Sequence, residues 1–360
     1  MAYTTIDDSS AYFQIKIYSG NAGVQALTFD GNTDMQPDWV WLKKRNGAAN
    51  HHVIDSVRGA GVYLYPNLTN ADGGDGYDGD GNDLLASFNS NGFTIDGGAD
   101  SNANNATGVA WSWKAGTSFT NDASSTSVGS IDSAGSVNDT AGFSIVSYTG
   151  TGSNATLKHG LSTVPKMIIV KNRSTAQHWQ VYHTSTGNTK SSQLSGGGAP
   201  DTAATYWNNT SPTSSVFSIG SGAPTNGDGN AIIAYCFAEK TGYSKFSSFV
   251  GNGNANGTFV YTGFKPAFIF LKNTERNINW EILDNKRPST GQNPADDILF
   301  PNTNDAESSS QTDRLVDFVS NGIKIRGTSN QMNASGQKFI YMAFAENPLV
   351  TSTGVPTTAR

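Results

Sequence analysis

The sequence predicts an all-β protein built from three tandem β-sandwich-like (jelly-roll-like) modules of about 100 residues each. Three observations predict it. A proline-led apolar segment occurs three times: PDWVWLKKRN from Pro37, PKMIIVKNRS from Pro165 and PAFIFLKNTE from Pro266. Each is followed at similar distance by a second apolar segment: VAWSWKA at 109–115, IAYCFAE at 233–239 and IYMAFAE at 340–346. In every copy a lysine stands six places after the proline, as Lys43, Lys171 and Lys272. Three markers recurring in one order point to internal duplication, which decides the fold before any single element does.

The elements follow in order. The first module, 1–115, runs from the opening residues to the end of VAWSWKA. The stretch 116–141 is rich in Ser, Gly and Thr and reads as an inserted linker. The second module, 142–241, shows its strands most clearly, near 143–149, 167–172, 178–184, 215–219 and 231–238. These are short runs of β-branched and aromatic residues, punctuated by Gly, Asn, Ser and Asp. The third module, 242–346, follows after a turn at 240–242, and 347–360 is a polar tail. No window carries the 3.6-residue apolar stripe of a helix.

Within the proline-led strand, alternate side chains face opposite ways. Trp39 and Trp41 share one face, Val40 and Leu42 the other, and the two later copies keep both faces apolar. Burial on both sides is therefore expected, with the lysine marking where the strand emerges into water.

Composition narrows the function classes. Only 14% of residues are charged, and the net charge is −6. That balance argues against nucleic acid or an anionic membrane as partner. No segment approaches the length of a membrane span, and MAYTTIDDSS lacks the basic and apolar regions of a signal peptide. Cys236 stands alone inside an apolar run, as a small core residue would.

Several residues invite a chemical reading. Asp75, Asp78, Asp80, Asn82 and Asp83 place oxygen ligands on a Gly-rich loop, which is the material of a Ca²⁺ site. The twelfth-position glutamate of an EF-hand is missing, and a solvated acidic loop is the plainer reading. Ca²⁺ there apart, no cofactor is expected. The pair Asp55 and Arg58 recurs as Asp284 and Arg287 but becomes His183 and Thr186 in the second module. Recurrence in two modules favours structural ion pairs over acid–base catalysis. His51 and His52 read as surface and edge residues. The framework aromatics Trp39, Trp41, Trp111, Trp113, Tyr235 and Phe237 read as core. Tyr63, Tyr65, Tyr77, Tyr206 and Trp207 are the loop aromatics that a glycan would stack on.

The segments MAYTTID, PDWVWLKKRNGAANHHVIDSVRG, FNSNGFTI, AWSWKAG, VYTGFKPAF and AFAENPLVTSTGVPTTAR together resemble a family of virion proteins of tailed bacteriophages, notably phages of marine bacteria such as cyanophages. The resemblance implies a non-enzymatic structural protein at the virion surface, often a tail fibre or appendage that contributes to host attachment. It carries no catalytic residues. Other virion proteins are the implied partners, with self-association (a homotrimer by analogy with phage appendages) and a host surface glycan beside them. A capsid decoration or head appendage, and a lectin-like carbohydrate-binding module, are the competing readings.

Overall fold

The computed structural model describes residues 3–73, 84–98, 100–202, 204–288, 291, 293–351 and 353–355. Their regular structure is almost all antiparallel β, and the α-helical pieces are single turns such as Ala123–Thr126 and Ala223–Asn226. Three large sheets share one strand order. The first places Phe13–Ser19, Thr107–Trp113, Trp39–Lys44 and His52–Asp55 side by side. The second does so with Phe143–Thr149, Ala231–Ala238, Pro165–Asn172 and Gln180–His183. The third uses Ser244–Val250, Lys338–Pro348, Phe264–Asn273 and Glu281–Asp284. Register corresponds as well: Trp39 faces Trp113, Met167 faces Phe237 and Phe268 faces Phe344.

The apolar closing strand lies inside each sheet because it is hydrophobic on both faces and needs a ladder partner on both edges. Its outer face is covered by a small second sheet. Leu27, Leu85, Phe93 and Ile95 cover Val40, Leu42, Ile54 and Ala110 in the first. Leu157, Phe217 and Ile219 cover Ile168, Val170, Ala234 and Cys236 in the second. In the third, Phe318, Ile323 and Ile325 belong to the same apolar cluster as Ile269 and Leu271.

The inner faces of the three large sheets meet each other. Trp39, Trp41, Trp111 and Trp113 join Met167, Ile169, Tyr235, Phe237, Phe268, Phe270 and Phe344 in one buried cluster. Ring contacts cross between all three sheets: Trp39 to Tyr235 at 4.7 Å, Phe13 to Phe344 at 5.2 Å and Phe237 to Phe344 at 6.2 Å. The expected two-sided burial is thus observed, and a core common to the three sheets accounts for it. Boundaries at 115 and 241 fall between sheets that share their hydrophobic interior, whereas 141 falls within the second sheet.

The stretch 116–141 differs from the expected linker. Thr117–Asn121 and Ser133–Asn138 are strands, and they extend the second sheet beyond Phe143–Thr149. Ser and Thr suit an edge hairpin whose outward side meets water, while Phe119 and Val137 pack beneath it. Gly135 reflects close approach here, since a Cβ would lie 1.8 Å from the Ile145 carbonyl oxygen. At the far end, the closing strand continues to Pro348, two residues into the predicted tail. At the near end, residues 3–11 pack on the third sheet. Ile6 is buried, the Tyr3 hydroxyl donates to the Gly263 carbonyl at 2.9 Å, and the Ser9 hydroxyl donates to the Glu346 carbonyl.

Candidate functional site: three seams between the sheets

The repeated lysines do not emerge into water. Lys43, Lys171 and Lys272 are 1%, 0% and 0% exposed. Each strand ends inside a seam, where the ammonium group meets one backbone carbonyl of the neighbouring sheet's connecting segment and one or two carbonyls of its own. Lys171 Nζ donates to Thr69 O at 3.0 Å, Asn172 O at 2.8 Å and Gln177 O at 2.9 Å. Lys272 Nζ donates to Gly197 O at 3.2 Å, Asn273 O at 2.8 Å and Arg276 O at 3.1 Å. Lys43 Nζ donates to Ala49 O at 2.8 Å and reaches Asn304 O at 3.4 Å. At Lys171 and Lys272 three acceptors match the three hydrogens of an ammonium, and Lys43 has two. Burial pulls all three lysines down to about 8, which leaves them mostly charged at neutral pH.

Eight residues beyond each lysine, a ring nitrogen makes the same crossing. Trp179 Nε1 donates to Tyr65 O at 2.8 Å, and Trp280 Nε1 donates to Gln193 O at 2.9 Å. In the first sheet the ring is His51, whose Nδ1 accepts from Trp41 Nε1 at 3.0 Å. That bond assigns the imidazole hydrogen to Nε2, which donates to Phe300 O at 3.1 Å. Burial, with Lys43 nearby, holds this histidine well below its ordinary pKa, so it is neutral. The direction is constant: the first sheet reaches to the third, the third to the second, and the second to the first. The seams close a ring.

Two seams add charge. In the seam between the second and first sheets, Asp55 Oδ2 accepts from Arg58 Nε at 2.6 Å and from the Tyr235 hydroxyl at 2.7 Å. Arg58 continues to Asp72 at 3.2 Å, which accepts from Arg173 Nε at 2.6 Å. In the seam between the first and third, Asp284 Oδ2 accepts from Arg287 Nε at 2.6 Å and from Trp111 Nε1 at 2.9 Å. Arg287 continues to Glu307 at 2.6 Å, and Glu307 accepts from Arg45, also at 2.6 Å. Burial works against the Arg58 and Arg287 charges, but the carboxylates beside them outweigh it and raise both pKa values. The remaining seam has His183 and Thr186 at these places. His183 Nε2 bonds Tyr341 O at 3.1 Å, and burial pulls this histidine down to about 4.

The sequence-predicted sites fare unevenly. Asp75, Tyr77, Asp78, Asp80, Asn82 and Asp83 lie outside the described residues. Tyr63, Tyr65 and Trp207 are 6%, 7% and 2% exposed, which corrects their reading as sugar platforms. Their rings are spent on His52 at 5.4 and 5.1 Å and on Tyr182 at 5.9 Å. Tyr206 is half-buried against the cluster that holds Trp207 and Tyr182. His51 and His52, expected at the surface, are buried on opposite sides of their strand. The ion-pair reading of Asp55–Arg58 and Asp284–Arg287 holds. Sequence reasoning missed Asp72, Glu307, Arg45 and Arg173, whose partners are distant in the chain. It also missed the role of the lysines, although a cation kept three times at the end of an apolar strand was the available signal. Among the described residues, no three His, Cys, Asp or Glu side chains gather to hold a metal ion, and no helix is long and apolar enough to cross a membrane.

Residues 8–348 match the family model described as a domain of unknown function, DUF7483. No curated protein matches the chain.

Proposed function

The chain belongs to the DUF7483 family, and we propose that it is a non-enzymatic structural protein of a tailed-bacteriophage particle, a tail fibre or appendage component that contributes to host attachment. One observation carries the scaffold part of this reading. The ionisable groups gathered at the seams are buried and bonded to a neighbouring sheet, so their chemistry is used in holding the protein together. In the same reading the chain is three tandem copies of one module whose cores have fused into a single three-sided body. The shared strand order, the matching registers and the three lysines support that view. The virion setting is supported by the resemblance of MAYTTID, AWSWKAG and AFAENPLVTSTGVPTTAR to phage particle proteins. Other virion proteins are its partners, and self-association as a homotrimer belongs to the proposal. Electron microscopy of purified particles carrying a labelled copy is the test. Few copies at the tail or one vertex are expected. Absence from particles would sink the reading, and dense coverage of the shell would move it to capsid decoration.

A further inference from the structure

The first and third sheets differ at one corner, and the difference opens a cavity. In the first sheet Asp38 precedes the proline-led strand. Its carboxylate accepts from the Ser56 hydroxyl at 2.7 Å and from the backbone N–H groups of Ala115 and Gly116 at 2.9 and 2.7 Å. The register places Ala267, Asn285, Glu346 and Asn347 at the corresponding positions of the third sheet. The backbone bond at the corner is kept, since Asn285 N donates to Ala267 O just as Ser56 N donates to Asp38 O, both at 2.9 Å. The carboxylate is replaced by a methyl group. Ala267, Asn285, Glu346 and Asn347 instead line a cavity of about 220 Å³, closed on its other side by the 8–15 and 30–32 segments.

The Asn285 side chain is the informative group. The residue is 4% exposed, and neither Oδ1 nor Nδ2 has a hydrogen-bond partner. A buried primary amide left unpaired is unfavourable by about 1–3 kcal/mol per group, so such groups rarely persist without a role. The opposite wall is already satisfied. Gln14 bonds Ser10 O, Thr33 O and Gly31 N, and Asp8 accepts from Ser10 and Thr33. That wall is a fixed shape, and the amide is what remains to be bonded.

We propose that this cavity binds a neutral, hydroxyl-rich ligand about the size of one sugar ring, with Asn285 as its main polar contact. A pair of neighbouring hydroxyls can accept from Nδ2 and donate to Oδ1 together, because a hydroxyl does both. Size agrees: 220 Å³ lies below the roughly 300–1,000 Å³ of sites for drug-sized molecules. Charge agrees too. The rim carries both signs, with Asp8 and Asp30 against Lys286 and with Glu346 already ion-paired to Lys265, so neither an anion nor a cation is singled out. Phe13, Ile15 and Ala345 add apolar surface for the C–H side of a ring. The inference does not depend on where the protein sits in a particle.

The test uses the full chain and saturation-transfer NMR with glucose, galactose, mannose and N-acetylglucosamine, with sodium acetate and calcium chloride run separately. Asn285→Ala removes a side chain that has no partner to lose, so the fold is retained and the melting temperature verifies it. Ala267→Asp supplies the carboxylate that the first sheet carries in this corner and fills the cavity from within. The expected result is saturable binding of at least one of these sugars, weakened at least about tenfold by Asn285→Ala and abolished in folded Ala267→Asp. The proposal is overturned if no sugar saturates the wild type, if binding survives Asn285→Ala, or if only acetate or calcium binds.

Discussion

The seam between the third and second sheets lacks the Asp–Arg–acid–Arg chain that runs through the other two, yet it closes in the same geometry. All three seams have a lysine on backbone carbonyls and a ring N–H on a carbonyl four residues earlier. The charged chain occurs in two. The difference separates what the joint needs from what it tolerates. Main-chain acceptors filled by a fixed cation set the spacing. The buried ion pairs largely offset their own desolvation, as such pairs commonly do, and a neutral seam can stand in their place.

The largest expected effect breaks one charged seam. Arg287→Ala leaves the buried Asp284 carboxylate without its cation, and Glu307 with Arg45 alone, and should destabilise by about 3–5 kcal/mol in urea unfolding. Arg58→Ala should behave alike. Thr186→Ala, at the same place in the neutral seam, loses one hydroxyl bond to His183 O and should cost only about 1 kcal/mol. Equal losses at all three places would mean that the charges are not what distinguishes the seams.

A smaller effect should be uniform around the ring. Replacing Lys43, Lys171 or Lys272 by Met leaves buried carbonyls without their donor, and each should cost about 1–3 kcal/mol. A much smaller loss in the neutral seam would show that the lysine contact depends on the ion pairs after all.

The smallest effect is in the pH dependence. The folded lysines titrate near 8 and the unfolded ones near 10.5. Between those values the unfolded chain binds more protons, so these groups make stability rise with pH across that window and leave it flat below it. Each Lys→Met variant should lose its share of the rise, and the difference from wild type isolates the lysine from the buried tyrosines. A difference that does not change with pH would place the folded lysine pKa near its ordinary value.

The strands were legible because local pattern carries them. The 143–149 and 231–238 boundaries of the second sheet coincide with the observed strands. The two apolar faces of Trp39–Leu42 gave two-sided burial. The seams were illegible in detail because Arg45 meets Glu307, and Arg173 meets Asp72, across long stretches of chain that no local pattern records. Tyr63, Tyr65 and Trp207 misled for a related reason: Tyr63 opens a short strand paired with His52–Asp55 and Trp207 ends a single helical turn, and neither element is long enough to show a pattern in the sequence. The corner at Asn285 showed itself only once Asp38 and Ala267 could be compared in place.

The ring also has one covalent gap. The polypeptide passes directly from the first sheet to the second and from the second to the third, but only hydrogen bonds and side chains join the third back to the first. Residues 3–11 and the end of the closing strand meet there, with Tyr3 on Gly263 and Ser9 on Glu346. A permuted gene that links the end of the closing strand at Pro348 to Tyr3 and opens the chain at the 240–242 turn would encode the same closed body. During synthesis of the natural chain, the first sheet must wait with one flank uncovered until the last strand, Lys338–Pro348, leaves the ribosome.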